Sequence, residues 1–305
     1  MMRQATILRT LPAAILLAMT LTAVRGSGAP AAAPTGDIER RALIDVTSAN
    51  AWSPAEATLT PTVEKTSGQK ALFFHVPVDW KGGEKAYPIG WPRITLDLPA
   101  AAQDWSRFEK LRFRVLLKTA CKNLPPAPLH LNVSSGGQRQ NWGRDATGLQ
   151  KDRWTEFSFN VADIPFNTQV RSMQFFVSES EYRDGDVLDF YLADVELVRH
   201  ARPTLTAITP LTAVAFADDP AMPVLVEMAG VGPGEQALVE IALTRDGKTV
   251  ASKKMSLGQG VTRVTLALPA GLAAGPYSLT ARAASGHAAA TVTLAPSPWQ
   301  KEGGS

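Results

Sequence analysis

Polar and apolar residues alternate with a period of two over much of the chain, the signature of strands with one face buried and the other wet. LRFRVLLK sets Leu111, Phe113, Val115 and Leu117 on one side and Arg112 and Arg114 on the other. PLHLNVSS sets Leu129, Leu131 and Val133 against His130, Asn132 and Ser134, and WTEFSFNV sets Phe157, Phe159 and Val161 against Glu156, Ser158 and Asn160. KALFFHVPV, PRITLDLP, VRSMQFFVSES and DVLDFYLADVELVR predict further strands, with turn signals between them such as Ser135-Gly136-Gly137 and Asp184-Gly185-Asp186. No long segment carries a convincing helical period. Many short strands without helical crossovers predict an all-β chain, a sandwich or jelly roll in which alternate strands fall in opposite sheets.

Past Pro203 the composition changes: six of the seven tryptophans lie before residue 155 and none falls between 203 and 295. That shift marks a domain boundary. In the second block ALVEIALTRDGKTVASKKMSL places Asp246-Gly247 between two strands, as a two-residue hairpin turn requires. VTRVTLALPAGLAAGPYSLTARAASGHAAATVTLAP then supplies a strand, a Gly-rich turn and two more strands. Some ninety residues with this spacing suit a smaller, seven-stranded immunoglobulin-like sandwich over 203–295, with a disordered tail at 296–305.

Ahead of both blocks, Arg3 and Arg9 precede an apolar stretch from Leu11 to Val24, followed by the small residues of RGSGAPAAAP. This is the layout of a secretory signal, expected over 1–26, with a flexible Ala/Pro/Gly leader over 27–37. The stretch is short for a bilayer span, which takes roughly twenty apolar residues, and no later run replaces it. The expectation is an exported protein, periplasmic or secreted, with no membrane span. Of 31 basic and 28 acidic residues, three arginines and no acid belong to the signal, so cleavage after Gly26 leaves a neutral chain. A neutral chain lacks the basic stripe that nucleic-acid binding requires. Cys121 is the only cysteine, so no intramolecular disulfide forms, and its place after a strand reads as a small buried residue rather than a nucleophile.

QDWSRFEKLRFRVLLKT, PLHLNVSS, RWTEFSFNVADI, VRSMQFFVSE and DVLDFYLADVELVR together resemble the galactose-binding-like jelly rolls, among them many carbohydrate-binding modules, over residues 38–200. The resemblance implies framework roles for Trp105, Trp154 and Asp194. It also implies a possible structural calcium tying the first strand to the last, for which Asp194, Glu39 and Asp45 are the candidate ligands; no other cofactor is expected. The following block resembles the Ig-like modules of bacterial surface proteins, with GPYSL in the penultimate strand.

Sugar recognition needs an aromatic platform for the apolar face of a pyranose and planar polar groups for its hydroxyls. GGQRQNWGRD offers Arg139, Gln140, Asn141 and Trp142 beside the polar strand face of His130 and Asn132. VDWKGGEKAYPIGW offers Trp80, Tyr87 and Trp91 in a Gly-interrupted loop. Trp91, next to Pro92 and a strand, is read equally as a plug at the end of the sandwich. Trp142, among glycine and charge, is expected to be exposed as the main platform. Catalytic frames are missing: no paired carboxylates in a distinctive setting, no zinc-ligand spacing among four histidines, no Gly-x-Ser-x-Gly turn. The expectation is therefore a non-catalytic protein that binds a polysaccharide or oligosaccharide, with the Ig-like block as spacer or docking module. The alternatives are a jelly-roll lyase using His130, Arg139 and Tyr87, and a structural module whose partner is a cell-envelope protein.

Overall fold

A computed structural model describes residues 37–83, 89–137 and 140–297. The signal, nearly all of the leader, most of the tail, Tyr87 and Arg139 lie outside the described residues. The chain is all-β, its only helical pieces being three 3₁₀ turns among the described residues. Eleven strands make up the first block: β1 (Ile38–Ala42), β2 (Trp52–Ala55), β3 (Thr58–Val63), β4 (Lys70–Pro77), β5 (Arg93–Asp97), β6 (Lys110–Lys118), β7 (His130–Ser135), β8 (Gln140–Asp145), β9 (Thr155–Asn160), β10 (Val170–Phe176) and β11 (Val187–His200). One sheet runs β3-β4-β11-β6-β9, with β1 added along β11, and the other runs β2-β5-β10-β7-β8. From β4 to β7 each strand enters the sheet opposite to its predecessor, as alternate strands of a jelly roll do.

The inward residues of the alternating segments meet between these sheets. Phe74, Phe113 and Phe190 come from the first sheet, and Ile94, Leu131 and Phe175 from the second. Each is almost wholly buried, a gain of about 1.5–3 kcal/mol per side chain. Trp105 is fully buried, its indole N–H donating to the Ala102 carbonyl at 3.0 Å. Cys121 is also buried, and burial pushes its thiol up, away from nucleophile character. Trp154 stays partly exposed, donating to Ser67 Oγ at 3.2 Å under the Arg114 guanidinium.

The second block holds β12 (Thr204–Pro210), β13 (Val214–Phe216), β14 (Ala221–Ala229), β15 (Ala237–Arg245), β16 (Lys248–Leu257), β17 (Gly260–Ala267), β18 (Gly275–Arg282) and β19 (His287–Ala295). They form a β12-β14-β17 sheet and a β13-β19-β18-β15-β16 sheet around their own hydrophobic cluster. That is eight strands where the spacing suggested seven; β13 has only three residues, too few to show alternation. Asp246 and Gly247 both take positive φ, 50° and 75°, between paired Arg245 and Lys248, the hairpin turn expected from the sequence. Tyr277 in β18 is buried and donates its hydroxyl to the Ala273 carbonyl four residues upstream, at 2.8 Å.

Candidate functional site

The outward face of the β2-β5-β10-β7-β8 sheet carries three parallel rows set by strand register. Arg93, Phe176, His130 and Asp145 form the first; Thr95, Gln174, Asn132 and Gly143 the second; Asp97, Ser172, Ser134 and Asn141 the third. A cavity of about 740 Å³ opens over the first row, walled by Trp91, Phe176, His130, Arg93, Gln174 and Glu56 among others. A side chain added at Gly143 would meet nothing closer than 3.9 Å, so the second row ends in open space.

Aromatic groups form a short ladder here. The His130 ring stacks on Phe176 at 4.8 Å with 16° between planes, and Trp91 meets Phe176 at 5.1 Å and 72°. Phe176 and His130 therefore cover each other's faces. Trp91, 55% exposed, keeps indole surface for a ligand. Polar groups are fixed around it: Asp145 Oδ1 lies 2.8 Å from His130 Nδ1, the Gln174 amide donates to Thr95 Oγ1 at 3.0 Å, and Arg93 donates to the Trp91 carbonyl at 3.1 Å. The segment bearing Trp91 is held from behind. Gly90 N–H donates to Glu179 Oε2 at 2.7 Å and Trp91 N–H to the Glu56 carboxylate.

The structure separates residues that the sequence had grouped. Trp142 is 5% exposed, against the expectation of an exposed platform. The QNWGRD part of GGQRQNWGRD is strand β8, and in a strand neighbouring side chains take opposite faces. Trp142 pairs with inward Val133 and packs edge-on to Phe159 at 5.7 Å, roofed by the Arg144 guanidinium 4.3 Å from its ring. Gln140 shares that side, while Asn141 stays with His130 and Asn132 on the outward face. Trp80, 38% exposed, is not part of the cavity wall and donates its indole N–H to the Glu179 carbonyl at 3.3 Å. Trp91 does not plug the sandwich; it borders the cavity.

The three calcium candidates are not brought together. Asp194, at a bulge with φ of 52°, pairs with Arg114 at 3.1 Å. Glu39 accepts from Arg199 at 2.6 Å, and Asp45 accepts from the Thr47 hydroxyl at 2.5 Å and its N–H at 2.8 Å, bonds that lower its carboxyl. Three carboxylates with three separate partners leave no shared set of oxygens, and no cluster of metal-binding side chains occurs among the described residues. No helix among them is long and apolar enough to cross a membrane.

Phe176, Gln174, Arg93 and Glu56 were not singled out from the sequence. Strand alternation carried a signal for three of them: it puts Arg93 outward in PRITLDLP, and Gln174 with one member of the adjacent pair Phe175-Phe176 outward in VRSMQFFVSES.

The sequence matches no family model and no curated protein. Among solved structures it is similar to a carbohydrate-binding module specific for non-crystalline cellulose, CBM28, at 13% identity over 54% of this chain and 96% of that one, TM-score 0.35. It is similar to the CBM22-1 xylan-binding domain from Paenibacillus barcinonensis at 14% identity over 54% and 98%, TM-score 0.32. It is also similar to the Endo-D glycoside hydrolase domain from Streptococcus pneumoniae R6 at 14% identity, TM-score 0.30, with 80% of this chain covering 36% of that one. The chain thus spans about a third of the length of that hydrolase domain.

Proposed function

We propose that the outward face of the β2-β5-β10-β7-β8 sheet binds a neutral polysaccharide or oligosaccharide, with Trp91 as the platform. The observation that carries this reading is the cavity itself. A half-exposed indole sits beside an aromatic pair and a row of amide, hydroxyl and guanidinium groups whose positions the sheet fixes. Stacking on the indole plus hydrogen bonds from Gln174, Asn132 and Arg93 would give an affinity of order micromolar to millimolar. Among the described residues of the wall, two carboxylates, Glu56 and Glu181, outnumber the single guanidinium of Arg93, which disfavours polyanions.

Binding without catalysis is the favoured reading because three acids around this rim, Glu56, Glu179 and Asp145, are already engaged. Glu56 takes the Trp91 N–H, Glu179 takes those of Gly90 and Asp79, and Asp145 holds His130. Glycoside hydrolysis needs two carboxylates facing the scissile bond. The 203–295 block is proposed as an Ig-like spacer: its β18 tyrosine bonding back to the corner it follows resembles the tyrosine corner of that architecture and supports this reading. Export through the 1–26 signal completes the proposal.

The test is affinity electrophoresis and calorimetry against a panel of neutral and acidic polysaccharides. Retention by a neutral glycan that disappears in Trp91→Ala and persists in Trp80→Ala is the expected result. Absence of binding to every glycan at millimolar concentration would overturn it, and release of reducing or unsaturated ends would replace it with catalysis.

A further inference from the structure

We infer that Glu56 and Glu179 form a bracket that sets the Trp91 platform in place, and that this bracket loosens in mildly acid solution and weakens saccharide binding there. The ligand half of this inference rests on the function proposed above; the bracket does not.

Residues 89–92 belong to no strand, so no sheet ladder positions Trp91. Two consecutive backbone N–H groups are instead taken by two carboxylates from distant parts of the chain, Gly90 by Glu179 and Trp91 by Glu56. A Cβ at Gly90 would lie 2.6 Å from Glu56 Oε2 and 2.8 Å from Glu179 Oε2, so a side chain there would have to push a carboxylate aside, and the two carboxylates crowd one point. Glu56 itself sits in the left-handed region, φ 55°, where the chain leaves β2 for β3 in the opposite sheet. A non-glycine residue there is strained and persists only when its surroundings demand it. Its bond to the Trp91 amide is one such demand.

Glu179 is the buried half. It is 2% exposed, and its other oxygen accepts the Asp79 N–H at 3.2 Å. Burial pushes its carboxyl above the ordinary glutamate value, with the charges of Glu56 and Asp79 adding to the push. Glu181 follows on the same turn and Asp184 accepts the Trp80 N–H, while Arg93 lies beyond Trp91 on the far side. Proton uptake therefore relieves crowding among acids. It also turns a charge-assisted bond to Gly90 into a weaker neutral one. A carboxyl raised by folding adds stability as pH falls, so this group loosens Trp91 without destabilising the fold.

The experiment uses the full chain labelled with 5-fluorotryptophan, the Trp91 fluorine resonance being assigned by its loss in Trp91→Phe. Titration from neutral pH to the free-glutamate value of 4.5 should move this resonance through one transition, while the melting temperature does not fall in step with it. Affinity for a retained neutral glycan should drop about threefold or more over the same range. In Glu179→Gln, an uncharged isostere, the resonance should stay at its acid position throughout and the affinity should lose that pH dependence. Glu56→Gln, at a more exposed position, should displace the same resonance at neutral pH and leave the other tryptophans unmoved. A Trp91 resonance that does not titrate, or titrates identically in Glu179→Gln, overturns the bracket even if glycan binds. A titrating resonance in a protein that binds no glycan upholds the bracket and overturns the function.

Discussion

Truncating Trp142 to alanine should weaken the first sandwich and leave saccharide contacts in place, whereas truncating Trp91 should do the reverse. Trp142 is buried against Phe159 and lies under Arg144, and its Nε1 has no hydrogen-bond partner among the described residues. The loss is therefore packing and the guanidinium–ring contact, with no hydrogen bond broken. Truncation of a buried tryptophan costs about 3–5 kcal/mol, and on edge strand β8 one wall of the void can collapse, which places this case near 3 kcal/mol. At about 2–4 °C per kcal/mol for a domain of this size, the midpoint should fall by roughly 6–12 °C. Trp142→Phe keeps an aromatic ring and removes the orphan N–H, so it should cost less than about 1.5 kcal/mol. Trp91→Ala should change stability by no more than about 0.5 kcal/mol. Urea unfolding at unchanged slope, read beside retention on a glycan gel, separates the two behaviours. A Trp142→Ala protein that melts with the wild type and is no longer retained would refute the burial argument and return Trp142 to the platform.

Gly143→Leu projects into the open end of the second row; it should abolish glycan retention with the melting temperature held, and retained binding would move the ligand off that row. Glu64 is buried under the β3–β4 turn, where the Lys118 ammonium at 2.6 Å, then the Thr66 and Ser67 donors, hold its carboxyl far below the ordinary range. With the folded value depressed, its stabilisation is fully present above the unfolded value near 4.5 and is lost as pH falls below it. Glu64→Gln should therefore melt lower at neutral pH and show a shallower decline in acid; parallel melting curves would contradict this. The two hydrophobic clusters share no residue, so chains ending or beginning near Arg202 should each melt cooperatively. Failure of both would make the contact of Glu109 with Gly230 part of an obligate interface.

Strand alternation was legible wherever a strand is central. In β6 and β10 every second residue must fill the core, so Leu111, Phe113, Val115, Met173 and Phe175 mark the pattern. At the edge of a sheet that demand fades. β8 reads QNWGRD, with Trp142 as its one inward apolar anchor, and β1 reads IERRA, paired only along β11. Polarity kept β8 out of the predicted strands, so Gln140, Asn141 and Trp142 were grouped as one segment although the strand sends Asn141 to one face and Gln140 and Trp142 to the other.

Parity along a strand would have found more of the candidate site described above. Trp91 lies two residues before Arg93, so continuing the alternation of PRITLDLP backwards puts Trp91, Arg93, Thr95 and Asp97 on one side and Ile94 and Leu96 on the other. Trp91 then faces outward with Arg93, and the outward member of Phe175-Phe176 is the one registered against Arg93 and His130. Counting cannot reach Glu56 or Glu179. Their carboxylates meet the Gly90–Trp91 backbone only because β2 and β10 lie on either side of β5, and the loops at the ends of those strands converge at one rim. The proposed platform residue is thus a local feature that periodicity can reveal, while the groups that hold it depend on strand order, which a single sequence does not display.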